Sequence, residues 1–171
     1  LDQLLPEDPA CITLVALSTT LATNAVAEGK RKPVALLLLG YDPDLVYQFQ
    51  FQQQFGTNHF FFLQGRHSLN GIEETPLDPS EIIECVRRAQ AHVDAFAVSS
   101  YAGPMNSSHE ERASEVIAGL TGLPVVQAHH LSNELDSIRR ATTVSLNASL
   151  LSNIQDFMDA IQKMLLKKGV Q

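Results

Sequence analysis

The sequence predicts an α/β fold, a mainly parallel open sheet flanked by helices and followed by a helical C-terminus, and three observations predict it. Short continuous apolar runs recur along the chain and read as strands covered on both faces. Amphipathic stretches with helical spacing fill most of the gaps between them. Proline-led start signals, Asp42-Pro43 and Asp78-Pro79, mark where two of those helices begin. Strand and helix units in alternation are the pattern of a parallel sheet whose crossovers are helices.

The predicted strands are residues 12–17, 34–39, 60–63, 95–99 and 124–127. Asp42-Pro43 should open a helix that runs on through Tyr47, Phe51 and Phe55, which share a helical face; alternation at Tyr47, Phe49 and Phe51 is the competing strand pattern. Asp78-Pro79-Ser80-Glu81 places Glu81 for a capping box, and Ile82, Val86, Ala89 and Val93 then fall on one face. Ser107 and Glu110 form a second such box, with Gly122 set to end that helix. Leu146, Leu150, Ile154, Phe157, Met158, Ile161 and Leu165 keep helical spacing to the end of the chain, and Ser152-Asn153 is the expected dividing point into two helices.

At 171 residues and 44% hydrophobic content the chain can build one sizeable core, so residues 1–171 are expected to form a single α/β domain. The formal net charge of −7 argues against nucleic acid or an anionic membrane as partner, since each basic cluster, such as Lys30-Arg31-Lys32, is short. Cys11 and Cys85 stand far apart and read as two buried, reduced thiols. No apolar run approaches the roughly 20 residues of a membrane span. The N-terminus lacks the pattern of a signal peptide, which points to a cytoplasmic protein.

Parallel strands put their C-terminal ends on one edge, the usual ligand position in open α/β sheets. The polar residues expected there are Ser18, Thr19 and Thr20, Tyr41 and Asp42, Gly65 to His67, Ser99 to Tyr101, and His129 with His130. Ser18, Thr19, Thr20, Asn24 and Ser100 offer hydroxyls and an amide for a phosphate or a ring amide, although Ser and Thr after a strand also simply cap helices. Gly65 would let backbone approach a ligand, and His67, expected in a loop, is the candidate catalytic residue, an imidazole able to act as proton carrier or metal ligand, although a lone loop histidine more often caps or lies at the surface. His129 and His130, as neighbours on a strand, would point to opposite faces and chelate nothing together, so no metal ligands are assigned. No nucleophile elbow, His-Glu-x-x-His helix, P-loop or dinucleotide fingerprint occurs.

Thr19-Thr20-Leu21-Ala22-Thr23-Asn24-Ala25, followed by Glu28 and Gly29, resembles the N-terminal signature of the hydantoinase A and 5-oxoprolinase family. Gly65-Arg66-His67 after an apolar strand is similar to a second family segment, and Ser132-Asn133-Glu134-Leu135 through Arg139-Arg140-Ala141-Thr142-Thr143 to Leu146-Asn147-Ala148 extends the match. The resemblance implies part of a ribonuclease H-like ATPase-type domain. It also implies a parent that uses ATP and Mg²⁺ to activate a cyclic amide carbonyl before water opens the ring. The family's glycine-rich phosphate turn of the Asp-x-Gly-Gly-Thr kind is not found in this sequence. The expectation is therefore a piece of a longer polypeptide, inactive alone and holding no cofactor alone. Its partners would be the rest of that polypeptide, a small cyclic amide, and a further copy or subunit. A related alternative is a piece of an acetone carboxylase-like subunit. The alternative from another class is a non-catalytic α/β module for small-ligand binding or assembly.

Overall fold

The structure, a computed structural model, describes residues 12, 14–16 and 20–169. Its contacts divide the chain into two compact units, one spanning Arg31–Leu151 and one made of the segments up to Lys30 and from Ser152 onward.

The Arg31–Leu151 unit is the α/β body. Strands β1 (Val34–Leu39), β2 (His59–Leu63), β5 (Ala95–Ser100) and β6 (Val125–Gln127) form a four-stranded sheet in the order β2-β1-β5-β6, every pair parallel. The crossovers carry α2 (Pro43–Gln48), α3 (Pro79–Ala89) and α4 (Ser108–Leu120), as a parallel sheet requires. All six residues of β1 are buried because both faces of the sheet are covered. Ala35, Leu37 and Leu39 point to the side of α3 and α4, packing with Ile82, Val86, Ala113 and Ile117. Val34, Leu36 and Leu38 point the other way, onto Phe55 and onto Ala141, Val144 and Ala148 of α5 (Ser137–Lys167).

Several local expectations change. Ile12, Leu14, Val15 and Ala16 adopt no strand, and Leu14 is 82% exposed; a strand exists through its ladder, and these residues join neither described sheet. The helix from Asp42 stops at Gln48 because Gln50 takes a left-handed conformation (φ 55°). A 3₁₀ turn at Phe51–Gln54 follows and delivers Phe55 to the core, while Phe49 stays exposed against Phe51. Asp42 caps α2 as expected, accepting from the Asp44 and Leu45 amides. Asp78 caps α3, but Glu81 does not close a box; its carboxylate accepts the Gln64 amide at 2.8 Å. A short antiparallel hairpin, β3 (Arg66–His67) with β4 (Glu73–Thr75), follows β2 and carries a bulge between Arg66 and His67.

Helix α5 is unbroken. Ser152 and Asn153 lie inside it without dividing it, and the Asn153 amide donates to the Lys30 carbonyl at 3.1 Å. Its residues up to Leu151 belong to the α/β unit and those from Ser152 to the other, which also contains α1 (Leu21–Ala27).

Candidate functional site

The parallel register brings the C-terminal ends of β1, β2, β5 and β6 to one edge, where three polar groupings form. The first is an open cleft of about 390 Å³ lined by Tyr41, Asp42, Gln64, Gly65, Arg66 and Glu81 among others. Its floor depends on two glycines in close approach. Gly40 has φ +69°, and a Cβ there would stand 2.6 Å from the Gly65 carbonyl oxygen; Gly65 has φ +111° and would meet Leu77 at 2.9 Å. Arg66 crosses the mouth, pairing with Glu74 at 3.3 Å and lying 4.4 Å over the Tyr101 ring. Tyr41 is buried beneath, sharing a 2.8 Å hydrogen bond with Ser99 Oγ and donating to the Ser137 carbonyl at 2.7 Å. Burial pushes its phenol well above the ordinary value.

The second grouping sits under the end of β5 and is closed. Glu110 is fully buried and accepts the Ser100 amide at 2.8 Å, the His129 amide at 2.9 Å and His129 Nδ1 at 2.8 Å. Arg140, 1% exposed, donates to the carbonyls of Ser100, Tyr101 and Glu134. Ser100 is thus strung between a carboxylate on its N–H and a guanidinium on its C=O. A carboxylate only accepts, so His129 Nδ1 donates to Glu110, while Nε2 lies 3.9 Å from the Glu111 carboxylate. His129 then lines a second cavity with Asn106, Ser107 and Asn133. An imidazole held this way can pass a proton, and a buried carboxylate is the usual means of orienting one.

The third grouping joins the hairpin to α4. His67 and His109 are 3% and 5% exposed, with ring centroids 3.9 Å apart. His109 Nε2 meets Glu73 Oε1 at 2.8 Å, and Ser108 Oγ lies 3.4 Å from His67 Nε2. Burial, and next the neighbouring imidazole, hold the His67 pKa below its ordinary value, with Glu73 opposing. One donor atom from each of His67, Glu73 and His109 falls within 4.8 Å of the others, so this grouping is where the described residues can hold a metal ion.

The predicted residues separate accordingly. Ser18 and Thr19 lie outside the described residues, as does Cys11. Thr20 and Asn24 are exposed, the Asn24 side-chain amide donating to Thr20 Oγ1 at 3.3 Å. Gly65 lines the cleft, and Ser99, Ser100 and Tyr101 lie at the same sheet edge. Ser100 is buried, its hydroxyl unpartnered. His67 is not in a loop: it stands on β3, and the bulge beside it goes with a side chain turned inward onto His109. His129 and His130 are not on a strand either. They lie in a 3₁₀ turn, Ala128–His130, with rings 4.1 Å apart, so strand alternation does not apply to them. Cys85 is buried and free, its thiol pushed up to about 11 chiefly by burial.

The sequence pattern does not mark Glu110 or Arg140 as site residues. The sequence places Glu110 as the partner in a capping box, but Ser107 Oγ bonds Glu111 instead, and only the tertiary fold takes Glu110 to Ser100 and His129. Glu73 carries no sequence signal, because it is an ordinary polar residue until the hairpin folds onto α4.

No curated protein sequence matches the chain. Among solved structures it is similar to the ATP-dependent caprolactamase from Pseudomonas jessenii, with 25% identity over 96% of this chain and a TM-score of 0.77. It is similar in fold to a nucleotide-free acetone carboxylase, with 14% identity over 90% of this chain and a TM-score of 0.71. The chain spans only 26% and 25% of those two polypeptides. The family profile described as the hydantoinase/oxoprolinase N-terminal region matches residues 1–121. With that match over most of its length, the chain belongs to the hydantoinase/oxoprolinase family and carries its N-terminal region.

Proposed function

We propose that this chain is the N-terminal portion of an ATP-dependent hydrolase that opens a cyclic amide ring, acting within a larger cytoplasmic polypeptide or subunit assembly. The observation that carries this reading is family membership over residues 1–121, supported by the 25% identity to a caprolactamase over nearly the whole chain. In that reaction ATP supplies the activation of an amide carbonyl that is otherwise a poor electrophile, and Mg²⁺ accompanies it.

The chain's own cleft does not fit a nucleotide triphosphate. Arg66 is the cationic side chain among its lining residues, already paired with Glu74, and the carboxylates of Asp42 and Glu81 stand beside it. Polyphosphate binding needs several backbone N–H groups or cations converging on one point. We read the cleft instead as a contact wall, with Gln64 and Arg66 turned to reactants or to adjoining parts of the parent. In the same reading, Thr20 and Asn24 contact the activated substrate or nucleotide in the parent, Gly65 lets backbone approach, and Ser100 is positioned by the Glu110 and Arg140 network. His67 remains the candidate catalytic residue, an imidazole able to act as a proton carrier or as a metal ligand.

The test is cyclic amide hydrolysis coupled to ATP consumption by the full-length protein. A hydrogen bond to a charged or developing-charge group contributes roughly 1.5 to 3 kcal/mol. Thr20→Val and Asn24→Ala should therefore lower turnover by about tenfold to a hundredfold while leaving the melting temperature unchanged. Lost stability with intact turnover would return both residues to helix capping. Purified alone, the 171-residue chain should open no ring and bind ATP more weakly than micromolar; micromolar binding in calorimetry would contradict the reading of its cleft.

A further inference from the structure

We propose that His67, Glu73 and His109 bind one divalent transition-metal ion of the zinc class, with water completing its coordination. The site joins β3, β4 and α4, and each element contributes one ligand.

Two imidazoles and a carboxylate are a donor set suited to zinc and its neighbours rather than to magnesium or calcium, which take oxygen. The two rings are more than nine-tenths buried, and both Nδ1 atoms are buried without a hydrogen-bond partner. His67 Nε2 has only the 3.4 Å approach of Ser108. Buried polar atoms are normally paired, so a contact pair of imidazoles left this poorly satisfied is unusual for a purely structural role. A cation between them would take up lone pairs that the protein does not.

The geometry needs little adjustment. Donor atoms around a tetrahedral zinc lie about 3.3 Å apart at metal–ligand distances near 2.0–2.1 Å, and here all fall within 4.8 Å of one another. The Glu73 side chain is 54% exposed, so it can swing inward, and the same exposure leaves one position open to solvent. Gly65 borders the site from the cleft side, since a Cβ there would stand 3.3 Å from His109 Nδ1. The bound water would therefore sit near the cleft wall formed by the end of β2.

The intact protein, stripped with chelator, should be titrated with Co²⁺ and with Zn²⁺. We expect visible cobalt d–d bands that saturate and are displaced by zinc, and a rise in melting temperature with zinc. His67→Gln and His109→Gln should each bind one equivalent fewer than wild type, whereas His129→Gln should bind as wild type does. Because buried histidine variants can misfold, Glu73→Gln is the decisive change: its side chain is half exposed, so its melting temperature in chelator should equal that of wild type. Its zinc affinity should fall at least tenfold. Unchanged cobalt spectra and zinc response in Glu73→Gln, or equal stoichiometry in the histidine variants and wild type, would overturn the site and leave the group as a hydrogen-bonded brace between the hairpin and α4. Neither outcome depends on whether the parent opens cyclic amides.

Discussion

The ends of β5 and of β2 lie on the same edge of one parallel sheet, yet they use their polar residues in opposite ways. At β5, Ser100 is enclosed: Glu110 takes its amide, Arg140 takes its carbonyl, and neither charged side chain reaches solvent. At β2, Gln64, Gly65 and Arg66 border an open cleft, and the charged groups there are partly or fully exposed. Position at the carboxyl end of a strand therefore does not by itself make a ligand site. What separates the two is whether the backbone at the strand end is taken up by buried charged side chains, as at Ser100, or bordered by side chains that face the cleft, as at Arg66.

The comparison breaks most sharply at Glu110. Glu110→Gln replaces one acceptor oxygen with a donor facing the Ser100 and His129 N–H groups and removes the buried carboxylate from His129 Nδ1. Stability should fall by about 3–5 kcal/mol, read from denaturant midpoints at constant m-value; a loss under 1 kcal/mol would mean the knot is not what holds β5 to α4. Gly65→Ala tests the open end. It forces a side chain onto φ +111° and into Leu77, so the expected loss is about 1–3 kcal/mol, smaller because the nearest obstacle is the flexible end of the Leu77 side chain.

Exposed charges should matter still less to stability. Arg66→Gln removes a partly exposed ion pair and a stack on Tyr101, and unfolding should shift by no more than about 1 kcal/mol. The smallest effect is expected at Asp78, whose pKa is held below its ordinary value first by the Ser80 hydroxyl and then by the Ser80 amide. A depressed carboxyl pKa contributes stability that is present above the unfolded pKa and lost as pH falls through the folded one. Asp78→Ala should thus lower the melting temperature slightly at neutral pH, and the two proteins should converge below the acid range; a gap that persists in acid would assign the effect to something other than this cap.

The contrast also marks what the sequence could and could not convey. Residues 34–39 and 95–99 are continuous apolar runs, and both became central strands because covering on two faces needs only apolarity. The run at 12–17 has the same composition, but composition does not supply a ladder, and its described residues have none. Gln50 shows a second limit: its left-handed turn breaks a good helical pattern so that Phe55 can enter the core, a tertiary gain that local periodicity does not register. The site was half legible for a similar reason. Gly65 could be placed by following a strand to its end. Glu110 reaches residues 10 and 19 positions away, and Arg140 one 40 positions away, so their roles exist only in the fold. The sequence marks His67 only as a candidate in a loop, because its burial on a bulged strand against His109 depends on a hairpin whose strands are two and three residues long.

The most direct test pairs the two ends of the edge in one full-length protein, measuring ATP-coupled opening of a cyclic amide alongside thermal unfolding for Arg66→Gln and Glu110→Gln. The account predicts that Arg66→Gln loses about tenfold or more in turnover with its unfolding almost unchanged, and that Glu110→Gln loses several kcal/mol of stability first. Wild-type turnover in Arg66→Gln would contradict it, because the open cleft would then be as remote from the reaction as the buried knot beside it.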